Sequence, residues 1–407
     1  MNSIEYQEIR LNDFPATRIY VLLKQDFRNK LIENARISLK LENYYALAQW
    51  INNKSLDYGL NNKFNGGDIG RWLIGSNLDS RTNINHPKLM PLWVVLELSE
   101  TVKISSEKLH NSIILYRSGG SGGIIIKPML PIKITPELES IIFHIFGDGS
   151  AGNFTPSFFQ KNEIANKQFI SKLKNCFGEF NVNTNDRFNI RFPKAITDIL
   201  AHFYDIKSYH SDKIIIPSRI YETNKLSRLA CITAFILDEG TIRDVISIAS
   251  KNKLFLSNLI ELMKSCGYEC KEIKPHTPSD TFYLNMANGT IEKFYADYLE
   301  LIGLFPNCSL ANKHDRLVYL ITRRKNKSTI TNIDGEILNL LENDKLTTKE
   351  ISEKLRFANC TILHHLEKLY KKGIINREAK DKGFVWFRNE RCTTSDIPIF
   401  RKVYIKS

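Results

Sequence analysis

The feature that most constrains this chain is a pair of apolar segments that each end in an acidic residue, a glycine and a hydroxyl residue. They read IIFHIFGDGS (141–150) and ITAFILDEGT (232–241). Each has the periodicity of a buried helix, and a glycine directly after the acid is typical of a helix C-terminus. The pattern therefore predicts two matched helices that bring Asp148 and Glu239 to one shared metal site.

The residues that follow the two segments also repeat, which indicates a tandem duplication. A Lys-Asn pair follows each acid after nearly the same interval, and apolar residues and a cysteine come next at matching, helical spacing. Further on, alternating stretches at 187–192 and 281–286 are each followed by an amphipathic segment, 195–204 and 290–302. The matched positions are Lys161 and Lys251, Ile164 and Leu254, Phe169 and Leu259, Leu173 and Met263, and Cys176 and Cys266.

These segments resemble the paired motifs of LAGLIDADG (DOD-type) homing endonucleases, in the single-chain form in which one polypeptide carries both halves. The likeness covers roughly residues 131–320. It implies an α+β fold with a tandem pseudo-twofold core of two αββαββα-type repeats, at 126–215 and 216–325, flanked by helical helix-turn-helix domains. It also implies a monomeric core, because both motifs are on one chain.

The resemblance assigns catalysis to Asp148 and Glu239, and it implies a metal site formed by these two residues together with Gly147 and Asp238. Hydrolysis of a phosphodiester requires cations that activate water and stabilise the leaving oxygen. Hard Mg²⁺ prefers a few carboxylate oxygens with several waters, so Mg²⁺ is the expected cofactor and Mn²⁺ is expected to substitute for it.

Four further residues near the motifs are candidates for the site. Lys207, Lys213 and Lys313 resemble in placement the basic residue that the family uses near the scissile phosphate, where it stabilises developing charge. His144 lies within the first motif helix, where it either tunes Asp148 or is a hydrogen-bonded core histidine, and the second interpretation is favoured.

The segment 329–390 predicts a winged helix-turn-helix. Helices are expected at 333–342, 347–357 and 361–372, and β-prone stretches at 374–377 and 384–388. A capping-box pattern from Thr347 to Glu350 marks the start of the second helix. The predicted DNA contacts are His364, His365, Lys368, Lys371 and Lys372 on the third helix, and Arg377, Lys382 and Arg388 on the wing. The same architecture also serves as a dimerisation or protein-contact module, and a tail follows at 391–407.

The first 125 residues are predicted to form a helical domain. Helices at 44–52 and 68–75 belong either to a helix-turn-helix or to a small helical bundle. The run SGGSGG (118–123) is either a linker into the core or a hairpin turn, and its Gly/Ser composition favours the linker.

Composition favours a nucleic-acid partner. The 407 residues include 57 basic and 44 acidic side chains, a formal net charge of +13. Such a surplus attracts polyanions, and its binding to them weakens steeply with salt because counterions are released from the phosphates. Together with the motifs, the charge predicts double-stranded DNA as the partner.

The remaining composition points to a reducing interior. Seven cysteines without a CxxC pair argue against a disulfide framework and a zinc ribbon. Cys266 and Cys270 are interpreted as buried thiols because no histidine stands at ligand spacing. The start of the chain lacks a signal pattern, and the longest apolar run, 229–237, is too short to span a bilayer. We therefore expect a cytoplasmic protein with no membrane partner.

Two functions remain open on the sequence. The first is a site-specific endonuclease that cuts both DNA strands with Mg²⁺, which the two acids favour. The second is a DNA-binding regulator that uses a catalytically retired core of this kind as a rigid clamp. The short interval between each acid and its Lys-Asn pair favours the regulator, because in the family this interval forms the β-ribbon that reads DNA in the major groove.

Overall fold

The computed structural model describes residues 6–74, 88–119, 122–151, 155–186, 188–276, 280–325, 332–380 and 383–389. The chain forms two compact units, Met1–Asp315 and Arg316–Ser407. The boundary lies within the helix His314–Lys325. Residue 325, the predicted end of the second repeat, is the last residue of this helix.

The N-terminal part of the first unit combines helices with two small antiparallel sheets. Its elements are β1 (Glu8–Ile9), β2 (Ile19–Leu23), α1 (Gln25–Ser38), α2 (Tyr44–Ser55), α3 (Gly66–Ile74), β3 (Met90–Pro91), α4 (Leu92–Thr101), α5 (Ser106–His110), β4 (Ile113–Ser118), β5 (Ile125–Ile126) and β6 (Ile132–Lys133). One sheet has the order β3-β2-β4-β5, and β1 pairs with β6. The predicted helices at 44–52 and 68–75 correspond to α2 and α3.

Two predictions about this region are wrong. The region is not purely helical, since its sheet extends through β5, and β1 pairs Glu8 with Lys133, beyond the predicted domain boundary. The SGGSGG run is not a linker either, because it joins antiparallel strands that pair Leu115 with Ile126. The run also contacts the core, where the backbone N–H of Lys194 donates to the carbonyl of Gly122 over 2.8 Å.

The rest of the first unit consists of two copies of one αββαββα unit. The first copy contains α6 (Pro136–Phe146), β7 (Gly149–Ser150), β8 (Ser157–Phe159), α7 (Glu163–Phe177), β9 (Asn183–Asp186), β10 (Asn189–Arg191) and α8 (Lys194–Phe203). After α9 (Ser218–Glu222), the second contains α10 (Lys225–Glu239), β11 (Gly240–Ile242), β12 (Ile246–Ser250), α11 (Lys253–Ser265), β13 (Lys274–His276), β14 (Thr281–Asn285) and α12 (Ile291–Leu304).

The sheet topology of the two copies is identical. The strand orders are β7-β8-β10-β9 and β11-β12-β14-β13. The Lys-Asn pairs also play the same role twice, because the side chains of Asn162 and Asn252 cap α7 and α11 by accepting from a backbone N–H three residues on. The tandem mixed helix-and-strand core that the sequence predicts is confirmed.

The matched apolar positions are only partly core. Phe169, Leu173, Leu259 and Met263 are fully buried. The first matched pair points outward instead, since Ile164 and Leu254 are 56% and 57% exposed. The duplication therefore preserves two exposed apolar residues on the first turns of α7 and α11 as well as the core.

The helices α6 and α10 pack against each other along the centre of the core. Ten of the eleven residues of α6 are buried, and so are ten of the fifteen residues of α10, including the whole run 229–237. Phe143, Phe235 and Phe255 form a ring cluster in this seam, with centroids 4.7 to 6.5 Å apart. Since both helices are apolar on almost all sides, they are stable only inside such a core.

The second unit is a winged helix-turn-helix. It contains α13 (His314–Lys325, which begins in the first unit), α14 (Ile333–Leu340), β15 (Leu346–Thr347), α15 (Thr348–Leu355), α16 (Asn359–Lys371), β16 (Ile375–Lys380) and β17 (Gly383–Arg388). The predicted capping box is present, with the N–H of Glu350 donating to Thr347 Oγ1 over 3.2 Å and the N–H of Thr347 donating to a Glu350 carboxylate oxygen over 2.7 Å. Trp386 of the wing is buried in the helical core.

Among the helices that the structure describes, none has the length and apolar character needed to cross a membrane.

Substitution of Gly147 tests the seam between α6 and α10. A Cβ atom at this position would lie 2.8 Å from the Cβ of Asp238. We expect Gly147→Ala to lower the free energy of unfolding by about 1–3 kcal/mol, because the helices must separate to admit the methyl group. Chemical denaturation of the full chain measures this change.

The matched control is Gly303→Ala, in α12, where a Cβ atom would meet nothing within 4 Å. There, alanine should leave stability unchanged or raise it by up to about 1 kcal/mol, because alanine has the higher helix propensity. Equal effects of the two substitutions would contradict the close approach at Gly147.

Candidate active site

The two motif acids emerge side by side at the C-terminal ends of the paired helices. Asp148 follows α6 by two residues, and Glu239 is the last residue of α10. The glycines after them lie against the preceding turn, since a Cβ on Gly149 or Gly240 would approach backbone atoms within 2.4 to 2.5 Å. Because free carbonyls make a helix C-terminus negative, two carboxylates at this place are unfavourable unless a cation is near.

The electrostatics of the two acids reflect this crowding. Burial, and then the nearby charge of Asp238, raises the pKa of Asp148 to about 7. Burial, followed by the charges of Asp148 and Asp238, raises the pKa of Glu239 to about 7. The negative charges of Asp148 and Asp238 therefore oppose the ionisation of Glu239, and the charge of Asp238 opposes that of Asp148, as in other sites where acids share one location.

Of the three candidate lysines, Lys313 is the one that the structure brings to the acids. Its ammonium group donates to the carbonyls of Ile236, Leu237 and Gly240 over 3.0, 2.5 and 2.5 Å. It thereby caps the C-terminus of α10, and its charge lowers the pKa values of the acids that burial raises.

The other two lysines stand elsewhere. Lys207 is 81% exposed and forms an ion pair with Asp205. Lys213 is exposed, in the loop before α9. Neither contributes to the pKa shifts of the two motif acids.

Gln160, at the end of β8, also belongs to the site. Its side-chain amide donates to Asp148 Oδ2 over 2.7 Å. The side chain of Asn166 in turn donates to the Gln160 carbonyl over 2.8 Å, which fixes the end of the strand. Gln160 precedes the Lys-Asn pair directly, and this position was the signal in the sequence that could have identified it.

A buried hydrogen-bond network of three polar side chains, His144, Lys172 and Asp238, crosses the seam next to the acids. His144 Nδ1 lies 2.8 Å from Asp238 Oδ2, and Lys172 Nζ lies 2.8 Å from His144 Nε2. The His144 and Asp238 side chains are 2% and 0% exposed, and Lys172 is 1% exposed. Because an ammonium group has only donors, a charged Lys172 requires His144 to accept at Nε2 and donate from Nδ1 to Asp238.

Burial has the largest effect on the pKa values of His144 and Asp238 in this network. It lowers the pKa of His144 well below its ordinary value, and the charge of Lys172 lowers it further. Burial raises the pKa of Asp238 well above its ordinary value, whereas the charge of Lys172 opposes that rise. His144 is thus a hydrogen-bonded core histidine, as favoured from the sequence, but its partner is Asp238 rather than Asp148.

This buried network has no counterpart in the second repeat. The positions that match His144 and Lys172 are Phe235 and Leu262, and both are buried and apolar. The position that matches Asp238 is Gly147, whose missing side chain gives Asp238 its space. The core is therefore symmetric in its backbone and asymmetric in its buried charges.

The donors at the motif ends fit a hard cation. Asp148 and Glu239 offer carboxylate oxygens, and Mg²⁺ is commonly held by one or two carboxylates while it keeps several waters. One oxygen of Asp238, Oδ1, is buried without a hydrogen-bond partner beside them. In the part of the chain that the structure describes, no group of three or more His, Cys, Asp or Glu side chains is arranged to hold a metal ion.

The predicted DNA contacts on α16 differ in their surroundings. His364, Lys371 and Lys372 are exposed. His365 and Lys368 contact Asp334 of α14, at 2.6 and 2.9 Å, and of these two only Lys368 is also exposed. The exposed cationic surface of this helix therefore lies mainly at its C-terminal end.

The wing residues are more engaged than the sequence suggests. The Arg377 guanidinium lies 4.3 to 5.6 Å from the ring centroids of Tyr370, Phe384 and Trp386, and it pairs with a carboxylate of α16 at 2.5 Å. Arg388 contacts a carboxylate of the Leu340–Lys345 connection at 3.4 Å. These two arginines hold the wing to the helices, and the predicted contact Lys382 lies outside the described residues.

Comparison with known proteins gives one family match, to the bacterial regulatory proteins of the arsR family, over residues 336–377. This is the helix-turn-helix of the second unit. No curated protein matches the chain.

The solved structures that are similar to parts of the chain include the following three. Variants of the homing endonuclease I-DmoI are 16% identical over 40% of this chain and 96% of theirs, with a TM-score of 0.31. I-DmoI in complex with DNA and Mn is 16% identical over 40% of this chain and 95% of that one, with a TM-score of 0.31. Full-length DUF199/WhiA from Thermatoga maritima is 12% identical over 58% of this chain and 90% of that one, with a TM-score of 0.30. The repeated topology of the core is defined by the strands and helices of this protein itself.

Replacement of His144 tests the contribution of the buried network to stability. His144→Phe introduces the residue of the matching position and leaves Asp238 and Lys172 buried without their shared partner. We expect the free energy of unfolding to fall by about 3–5 kcal/mol, because an uncompensated buried charge is costly. Denaturant unfolding of the full chain provides the measurement.

The triple variant His144→Phe, Lys172→Leu, Asp238→Ala is the control. It removes all three polar side chains of the buried network, so it should recover at least about 1–2 kcal/mol of the free energy of unfolding that the single variant loses. A triple variant less stable than His144→Phe would show that these side chains do not act as one unit.

The pH dependence of stability tests the crowding of Asp148. A folded pKa near 7, against 3.8 ordinarily, means that the folded protein holds a proton that the unfolded chain releases. The associated stability is complete below pH 4 and is lost as the pH rises through 7. In metal-free buffer, Asp148→Asn should therefore gain stability over the native chain between pH 5 and 8, by on the order of 1–2 kcal/mol after solvent screening.

Thermal unfolding at the two pH values measures this gain. Glu107→Gln, an exposed substitution on α5, makes the same change of charge away from the site. It should unfold in parallel with the native chain at both pH values. A constant difference between Asp148→Asn and the native chain would refute the predicted shift.

Proposed function

We propose that this chain is a site-specific double-stranded DNA-binding protein whose core cuts both strands by divalent-metal-dependent phosphodiester hydrolysis. One observation carries the proposal. The carboxylates of Asp148 and Glu239 leave the C-terminal ends of two paired helices at one place, where each pKa is raised to about 7. Such an arrangement is unfavourable by itself and becomes favourable around a cation. Because both motifs belong to one chain, the core acts as a monomer.

The second unit supports the DNA-binding half of the proposal. Its helix-turn-helix matches the arsR-type regulatory family, and α16 exposes His364, Lys371 and Lys372. A helix with a cationic end suits entry into the major groove beside the phosphates. The net charge of +13 acts in the same direction, because it draws the whole chain to a polyanion.

The residues of the core then divide the work. Asp148 and Glu239 would hold Mg²⁺, or Mn²⁺ in its place, which when bound supplies activated water and charge stabilisation for the hydrolysis. Gln160 fixes the rotamer of Asp148 through its amide hydrogen bond. Lys313 places a positive charge beside the acids while the carbonyls of α10 hold it in position. The buried network keeps the Asp238 side chain turned towards His144.

A second function, a regulator with a retired nuclease core, is favoured by the short hairpins after the acids. The strands β7 and β8 span two and three residues, and β11 and β12 span three and five. Hairpins of this length reach few base pairs in the major groove. In this function the winged unit reads the sequence and the core serves as a rigid clamp.

A selection followed by a cleavage assay separates the two functions. Duplexes bound by the full chain in EDTA are selected from a random pool, and the selected duplex is incubated with Mg²⁺ or Mn²⁺. The nuclease proposal expects breaks in both strands. Asp148→Asn and Glu239→Gln should each reduce cleavage by on the order of 100-fold or more, because each removes a group that acts on the transition state.

The binding controls keep the result interpretable. Both acid variants should retain the native affinity in EDTA, since the change is confined to cleavage. Lys371→Ala/Lys372→Ala should weaken binding to all sequences and reduce the slope of log affinity against log salt by about 2. Retarded mobility without breaks in either metal would refute the nuclease and leave the regulator.

A further inference from the structure

The opposite end of the motif helices contains a polar cavity that the DNA-cutting function does not use. The cavity has a volume of about 430 Å³, within the range of small-molecule sites. It is formed by the first turns of α6 and α10, by α9 and by the C-terminal end of α8. Its chemistry rests on Glu139, Tyr204, Arg219, Glu222 and Ser227, with Tyr6 and Phe203 adding aromatic walls.

Its distance from the acids separates it from the candidate active site. Glu139 precedes Asp148 by nine residues, which is roughly 14 Å along a helix, and Ser227 precedes Glu239 by twelve, which is roughly 18 Å. The cavity therefore belongs to the N-terminal end of the α6–α10 seam, whereas the acids belong to the C-terminal end.

Glu139 is the group that makes this cavity unusual. The residue is 0% exposed, and its Oε1 accepts a hydrogen bond from the Tyr204 hydroxyl over 3.2 Å. Its other oxygen, Oε2, is buried and makes no hydrogen bond, although the Ser227 and Thr223 hydroxyls are near enough to lower the pKa of this carboxyl group. A buried carboxylate oxygen left in this way costs free energy that a donor entering the cavity would recover.

The remaining walls select the charge of that donor. When Glu139 is ionised, it and Glu222 provide two carboxylates against the single guanidinium of Arg219, and the lining then has a negative balance. The Arg219 guanidinium is already placed 4.3 Å from the Phe203 ring centroid. An organic ammonium group fits this lining, because it brings several N–H donors and a positive charge, and its carbon body suits the aromatic walls.

We propose that this cavity is a binding site for a small organic primary amine, whose ammonium group donates to Glu139 Oε2 and bridges α6 to the start of α10. Burial raises the pKa of Glu139 to about 7, against the opposing effect of the Ser227, Tyr204 and Thr223 hydroxyls. An ammonium ligand would stabilise the ionised form of this carboxyl group. The site is independent of the proposed nuclease function, since it shares no residue with the motif acids.

Three probes of one shape test the ligand class on the full chain. Benzylamine carries the ammonium group, benzyl alcohol is its neutral analogue and benzoate carries the opposite charge. We expect saturable binding of benzylamine by calorimetry or ligand-observed NMR, together with a rise in the thermal unfolding temperature. Benzyl alcohol and benzoate should bind at least about ten-fold more weakly, which corresponds to one charged hydrogen bond.

Two variants place the binding in this cavity. Glu139→Gln keeps the shape of the side chain and should weaken benzylamine binding about ten-fold or more. Glu222→Gln lies at the exposed rim, so it tests the charge balance without disturbing the core even if Glu139→Gln fails to fold, and it should weaken binding several-fold. The distant Glu107→Gln should bind benzylamine as the native chain does.

Either of two results would overturn the proposal. One is equal binding of benzylamine and benzyl alcohol, which would mean that the ammonium group is not recognised. The other is benzylamine affinity unchanged in the Glu139 and Glu222 variants, which would mean that the amine binds elsewhere. Neither result bears on DNA cleavage, which is measured without the amine.

Discussion

The packing of α6 against α10 is the contact on which the rest of the core depends. Helix α6 and the central run 229–237 of α10 are buried on every side, so neither helix is stable outside this core. Their C-terminal ends meet so closely that a side chain is admitted from one helix only, and Asp238 faces Gly147. This close approach places Asp148 and Glu239 together, and it follows from the backbone symmetry of the two repeats rather than from any attraction between the acids.

That symmetry is broken by charge. A core made of two equal repeats could fill both sides of the seam with apolar side chains, as the second repeat does with Phe235 and Leu262. The first repeat instead buries His144 and Lys172 to reach Asp238 across the seam. Buried ionic groups of this kind are weak contributors to stability and are better understood as devices that select one arrangement. Here the buried network fixes the register of α6 against α10 and the direction of the Asp238 side chain.

Sequence reasoning reached the features that repeat or that depend on local chemistry. The duplication followed from matched spacing, the αββαββα order of each copy was implied by the family resemblance, and the start of α15 followed from the pattern between Thr347 and Glu350. Local signals are strong in these cases because a cap or a helical period is complete within a few residues. The meeting of the two acids could be predicted because a duplicated helix pair has a twofold relation.

Features that depend on distant partners were not reached. His144 contacts a residue 94 positions away and Lys172 contacts one 28 positions away, so neither partner is visible in a local pattern. Among the missed N-terminal strands, β1, β3 and β5 have two residues each, too few to show an alternating pattern. The Gly/Ser run was mistaken for a linker because flexibility in composition does not distinguish a linker from the turn of a hairpin.

The two ends of the α6–α10 seam share one electrostatic property, since each buries carboxylates in a chain whose net charge is positive. A cation at either end would therefore stabilise the same packed arrangement, and each would raise the free energy of unfolding by mass action. Coupling between the ends is a separate matter, because one ligand changes the affinity of another only if the helices have a second arrangement to adopt. The contact of Gly147 with Asp238 and the cross-seam hydrogen bond to His144 oppose such an arrangement. The two ends are thus expected to bind cations independently, and their effects on stability to add.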